Sequence, residues 1–214
     1  MAINISPVPI YQFRVVLKDT SPHIWRRLLV HSECSLAEFH RIIQTAMEWA
    51  GTYTYQFTIR GKKCGISPDH VERPENFGRI RLIDFDFREK ERFTYEYHWG
   101  SPWAEAYLWW FDIRMEKAVS ETSQNCPKCI GGVGVAPPEA CEGPRAFTEF
   151  RNLFSPDYFA HRLEEMRSEG NLEQYQEEIR DLEPWRRDHF DRRAVNRKLQ
   201  QIMESQTADR GERS

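Results

Sequence analysis

One segment, Phe93-Thr-Tyr-Glu-Tyr-His-Trp99, constrains this chain more than any other. Four large aromatic residues (Phe93, Tyr95, Tyr97 and Trp99) alternate with Thr94, Glu96 and His98. A period of two places the first set on one face of a β-strand and the second on the other. A helix would scatter both around its circumference. The segment therefore calls for a sheet with a buried aromatic face and a polar face. The rest of the chain supplies partners of the same kind. Tyr11–Leu17, Ile24–Val30, Tyr53–Arg60, a short stretch around Cys64, and Ala106–Met115 all read as strands, and Arg79–Ile83 is read as one more. The cluster Asp19-Thr-Ser-Pro22 joins the first two as a hairpin.

Helices are marked by their ends. Ser35-Leu-Ala-Glu38 has the capping-box pattern, in which a serine oxygen accepts from the third helical amide and the glutamate reaches back. Apolar residues at Leu36, Phe39, Ile42, Ile43, Ala46, Met47 and Trp49 follow at helical spacing. They predict a helix over 36–49 that Gly51 ends. Pro68, Pro74 and Gly78 mark a polar loop over 66–78, and Gly100-Ser-Pro102 breaks the aromatic strand. Residues 120–145, rich in Gly, Pro and Cys, read as a loop. Pro156–Arg167 and Phe190–Leu199 read as helices, the second capped by Asp191.

The order of elements implies an α+β fold: a mixed or antiparallel sheet with one packed N-terminal helix, roll-like, and a helical C-terminal section. A single domain is expected over 1–204, with the sheet and helix in 1–119, the loop in 120–150, helices in 151–204, and a disordered polar tail at 205–214.

Charge excludes one class of function. The 30 basic and 33 acidic residues leave a net charge of −3, so the chain is no basic nucleic-acid coat. The last 64 residues hold 12 basic and 14 acidic side chains, so neither part is a basic reader overall. No apolar run reaches the roughly 18 residues of a membrane span. The start Met1-Ala-Ile-Asn-Ile-Ser-Pro7 lacks the features of a signal peptide, and five cysteines is an odd number. Together these point to a cytoplasmic protein with reduced thiols.

Four segments resemble one family. They are Tyr11–Trp49 with Pro22-His-Ile-Trp-Arg-Arg27, Tyr95–Gly100 with Trp103, Cys129-Ile-Gly-Gly132 leading to Pro137–Pro144, and Phe190-Asp191 with Ala194-Val-Asn196. In order and spacing they are similar to the plasmid Orf-three-like domain family, first named from a reading frame on a rhizobial pRi plasmid. The resemblance implies an α+β roll often encoded near mobile elements, with no established activity. It also implies losses. Relatives usually carry Asp-Phe-Gly-Asp-Asp-Trp where this chain has His98-Trp-Gly-Ser-Pro-Trp103, and His-x-His where it has Tyr53-Thr-Tyr55.

Candidate sites follow from residue chemistry. Cys126, Cys129 and Cys141 include a C-x-x-C pair and form a candidate zinc site one ligand short, which His98 or Cys64 could complete. The competing reading is cysteines packing a loop. Glu96 and His98 form a candidate polar site, and a pocket joining them to Tyr55 would favour an enzyme. Arg26, Arg27, Arg192 and Arg193 are candidate phosphate contacts, set against an ion-paired solvated surface. The run Gly131-Gly-Val-Gly134 lacks the rest of a phosphate loop. The aromatic set Tyr95, Tyr97, Trp99, Trp103, Trp109 and Trp110 is read as core rather than as a base-stacking platform, because residues 94–113 contain no Lys or Arg. No nucleophile elbow, zincin or kinase motif is present. The resemblance, with these motifs absent, implies a non-catalytic binding or accessory protein linked to plasmids or mobile elements, with a protein or nucleic-acid partner. A zinc-stabilised nucleic-acid-associated module and an enzyme of unrecognised type stay open beside it.

Overall fold

The alternating segments form seven strands of one sheet: β1 (Ile10–Leu17), β2 (Ile24–His31), β3 (Thr54–Ile59), β4 (Lys62–Ile66), β5 (Arg92–His98), β6 (Leu108–Val119) and β7 (Lys128–Val133). Their order is β4-β3-β5-β6-β1-β2-β7, and every neighbouring pair is antiparallel. The computed structural model describes residues 8–66, 79–98, 108–119, 126–141, 143–153, 156–169 and 189–211. Trp99, the Gly100–Pro102 break, Trp103 and the loop around Pro68 and Pro74 lie outside the described residues. Among the described residues four helices accompany the sheet: α1 (Leu36–Ala46), α2 (Gly143–Leu153), α3 (Pro156–Glu169) and α4 (Arg192–Gly211). The fold is α+β, with an antiparallel sheet.

One face of the sheet is the core. Phe13, Val15, Leu17, Ile24, Leu28, Phe57, Tyr95, Tyr97, Trp109, Phe111 and Ile113 are fully buried on it. The apolar stripe of α1 packs there through Leu36, Phe39, Ile43 and Ala46, with the Phe13 and Phe39 rings 4.9 Å apart. Each such large apolar side chain contributes roughly 1.5–3 kcal/mol on burial. Residues of the opposite phase form an outer face that is mostly half-buried or exposed.

The capping box of α1 is present: the Glu38 amide donates to Ser35 Oγ at 3.2 Å, and the Glu38 carboxylate accepts the Ser35 N–H at 2.8 Å. The helix stops at Ala46, not Trp49. Glu48 is left-handed (φ 61°), and the Arg26 guanidinium takes the Ala46 carbonyl at 2.9 Å. Trp49 stays buried outside the helix, its indole N–H donating to the Pro137 carbonyl.

Two other expectations change. The expected strand 79–83 is a single bridge from Arg81 to Ser35 followed by a 3-10 turn at Leu82–Phe85, whose Leu82 is buried. The expected loop 120–145 contains β7, which pairs Cys129 with Leu28. Gly132 is required there because a Cβ would lie 2.6 Å from the Phe190 ring. Asp191 does cap α4: its carboxylate accepts the Arg193 and Ala194 N–H groups at 2.8 and 2.9 Å. This helix continues to Gly211. From it, the Asn196 side chain accepts the Cys129 N–H at 2.8 Å and donates to the Cys129 carbonyl at 2.9 Å. The amide thus occupies the outer edge of β7 as a further strand would.

Candidate functional site

The strand register assembles a row of arginines on the outer face. Arg92 of β5 stands opposite Arg114 of β6, Arg114 opposite Arg14 of β1, and Arg14 opposite Arg27 of β2. With strands about 4.8 Å apart, the row spans about 14 Å across the sheet. Like charges directly opposite one another are unfavourable, so each guanidinium needs a counter-charge.

The outer two have one. Arg27 forks onto Glu116 at 2.7 and 3.0 Å, and Gln12 donates to the same carboxylate at 2.6 Å. The geometry comes from a bulge: Phe13 faces Met115 and Gln12 faces Lys117, so Glu116 is the extra residue. Burial alone would push the Glu116 carboxyl up, but the Arg27 and Gln12 hydrogen bonds outweigh it and hold it below its ordinary range. Arg92 is tied to Asp112. The inner two arginines form no ion pair among the described residues, although Glu116 also attracts Arg14 at longer range. Arg14 lies over the Trp25 ring at 4.9 Å, with Arg27 at 5.4 Å from the same ring. The Nε atoms of Arg14 and Arg114 are buried without a hydrogen-bond acceptor. Trp110 lies on this face too, opposite Glu96, and is 39% exposed.

The inner face carries a second polar group, beneath α1. Gln44 Nε2 donates to Tyr95 Oη at 2.6 Å, so the Tyr95 hydroxyl donates in turn to His40 Nδ1 at 2.7 Å. His40 Nε2 therefore carries the proton, which it donates to the Gly51 carbonyl at 3.2 Å. Burial pushes the His40 pKa down to about 4, so the ring is neutral near pH 7. It stacks on Tyr55 at 3.7 Å. Nearby, Tyr97 donates to Glu139 at 2.5 Å, and Glu139 also accepts the Ala50 and Gly51 amides. Burial first, then the Glu139 hydrogen bond, raises the Tyr97 pKa. Both His40 nitrogens are occupied and both phenols are held protonated, so the group braces the end of α1 and presents no free base.

The expected site residues are distributed as follows. Glu96 and His98 are on the outer face of β5, Glu96 with its carboxyl pKa raised by burial. Tyr55 faces Tyr97 on the inner side, so the sheet separates it from Glu96 and His98 and the three line no common pocket. Arg26 is fully buried. Besides Ala46, it donates to the Trp25 and Val133 carbonyls, and it lies 3.8 Å over the Phe190 ring. It is a structural group and not a phosphate contact. Arg192 donates to the Ile130 carbonyl, and Arg193 is exposed at the start of α4.

Cys126, Cys129 and Cys141 are all buried, the Cys129 thiol donating to the Gly131 carbonyl at 3.3 Å and Cys141 to the Gly143 carbonyl at 3.9 Å. Cys64, offered as a fourth zinc ligand, is on β4 at the far end of the sheet from β7. Among the described residues, no three His, Cys, Asp or Glu side chains gather as a metal-holding group. Trp109 is core as expected, whereas Trp110 is not.

The arginine row was not read from the sequence, because its members come from four separated strands. One signal was available: Arg14 and Arg27 lie equally far from the centre of the Asp19–Pro22 turn, which already places them opposite each other.

Comparisons with known proteins agree with this architecture. The family model of the plasmid pRiA4b ORF-3-like proteins matches residues 9–199. An uncharacterised protein of Sinorhizobium fredii (strain NBRC 101917 / NGR234), y4hQ, is 26% identical over 144 residues, covering 66% of this chain and 71% of that protein. The crystal structure of MM3350, a protein of unknown function from Methanosarcina mazei Go1, aligns with a TM-score of 0.58 at 22% identity. It covers 86% of this chain and 93% of that one, a similarity of fold alone.

Proposed function

This chain belongs to the plasmid pRiA4b ORF-3-like family, and from that premise we propose that it is a non-catalytic binding protein whose outer sheet face takes an anionic chain. The observation that carries this reading is the pair Arg14 and Arg114: adjacent, like-charged and in no ion pair among the described residues, with only a longer-range attraction between Arg14 and Glu116. Side by side, the two charges repel. A ligand with regularly spaced anionic groups would bring them counter-charge, and guanidinium forks suit phosphate oxygens. The family's name, taken from a plasmid reading frame, supports an accessory role beside mobile DNA. The closed state of the His40 group supports binding over catalysis.

The reading is tested by titrating labelled inorganic polyphosphate into the full chain. Binding should weaken steeply with salt. The double variant Arg14→Gln/Arg114→Gln should lose at least about tenfold in affinity, since two charge-assisted contacts go. Polyphosphate binding that is absent at low salt, or indifferent to both substitutions, would overturn it.

A further inference from the structure

We infer that the anionic chain is a single-stranded nucleic acid, its phosphates along the Arg92–Arg114–Arg14–Arg27 row and a base on Trp110; this rests on the anion-binding reading above. Three observations favour this partner. The row is linear across four strands and about 14 Å long, so it fits an extended polyanion better than a lone anion. Carboxylates cap it at both ends: Glu116 holds Arg27 and Asp112 holds Arg92, so the two arginines in no ion pair among the described residues are the central ones. The same face presents Trp110, one side-chain step from Asp112 and two from Arg114 along β6, and 39% exposed beside half-buried neighbours. An acidic peptide would use the arginines but has no flat ring to lay on an indole. Every base does, and stacking is tolerant of sequence. A duplex keeps its bases stacked inside, and the described outer face offers it strands instead of a helix inserted in a groove.

Glu96 stands opposite Trp110, its carboxyl pKa raised by burial. Trp25 is already engaged by Arg14 and Arg27 and sits against Gly131. It supports the row from below, and the open ring is that of Trp110.

Four probes of matched charge discriminate the partner, each titrated into the full chain: oligothymidylate, a duplex, inorganic polyphosphate and polyglutamate. Oligothymidylate should bind at least about tenfold tighter than the other three. Trp110→Ala should weaken oligothymidylate by about tenfold and leave polyphosphate unchanged, whereas Trp110→Phe should retain most of the affinity. Arg14→Gln and Arg114→Gln should each lower the slope of log affinity against log salt by about 0.7. Arg14→Lys and Arg114→Lys keep the charge and serve if the glutamine variants fail to fold. Equal binding of polyphosphate with no effect of Trp110→Ala would overturn the nucleic-acid assignment and leave the anion face standing. Polyglutamate or duplex binding tighter than oligothymidylate would overturn it as well. Failure of all four probes at low salt would remove both readings.

Discussion

Arg26 and Arg27 are consecutive residues of one strand, and the sheet treats them in opposite ways. Arg26 points inward, is fully buried, and hydrogen-bonds the Ala46, Trp25 and Val133 carbonyls beneath the Phe190 ring. Burial lowers its pKa to about 10, so the group still carries its charge near neutral pH. Arg27 points outward into a row of like charges, where only its end position beside Glu116 gives it a partner. The difference separates two uses of one side chain. The cost of a guanidinium inside the core is offset by the three carbonyls it hydrogen-bonds. A guanidinium in the centre of the outer row makes no ion pair among the described residues, and Arg14 there rests on the Trp25 ring; that is the basis of the proposed binding face.

The largest effect should therefore come from the inner arginine. Arg26→Ala strips the Ala46 and Val133 carbonyls of their donor and opens a cavity, a loss of roughly 3–5 kcal/mol in urea unfolding. Arg26→Met, which refills the volume without the hydrogen bonds, should lose less. A cost for Arg26→Ala below about 1 kcal/mol would erase the contrast between the two faces.

Next is the pH dependence of the inner face. His40 has its pKa depressed from 6.5 to about 4 by burial. Between those values the unfolded chain binds the proton and the folded chain does not, so stability falls as pH drops from about 6.5 towards about 4. The total is on the order of 3 kcal/mol. A His40→Gln variant should show a flatter stability profile across that window. An unchanged profile would place the titrating group elsewhere.

Tyr95→Phe comes third. It leaves Gln44 Nε2 without its acceptor and His40 Nδ1 without its donor, for about 2 kcal/mol, measurable as a shift in the unfolding midpoint. The smallest effect, of opposite sign, belongs to the outer row. Arg114→Gln removes a cross-strand repulsion and should change stability by less than about 1 kcal/mol, in the stabilising direction; Arg14→Gln also gives up the Trp25 ring contact and should be nearer to neutral. Arg14→Gln destabilising as much as Arg26→Ala would show that the row is structural.

Much of the fold was legible because it rests on periodicity. The alternation in β1, β2, β3, β5 and β6 appears in the letters, and the Ser35–Glu38 cap marks the start of α1 directly. β7 was hidden because Gly131 and Gly132 read as loop punctuation, whereas both lie in a strand and Gly132 makes room for Phe190. The early end of α1 was hidden because the residue that takes the Ala46 carbonyl lies twenty positions upstream. The direction of Arg26 was legible in principle: it shares the phase of Ile24, Leu28 and Val30. The arginine row depends on sheet order, which periodicity does not encode. β6 sits beside β1 and β5 only in the folded chain.

The Asn196 clip on β7 has a consequence for biosynthesis. Cys129 and the amide that completes its edge are 67 residues apart, and the amide comes second. At about 5–20 residues per second, translation leaves an interval of roughly 3–13 s between making the strand and making its seal. During that interval the nascent β7 has an open edge on one side, available to any neighbouring strand. The ribosome-bound chain is therefore most exposed to mispairing late in synthesis, after nearly all of the sheet has been made.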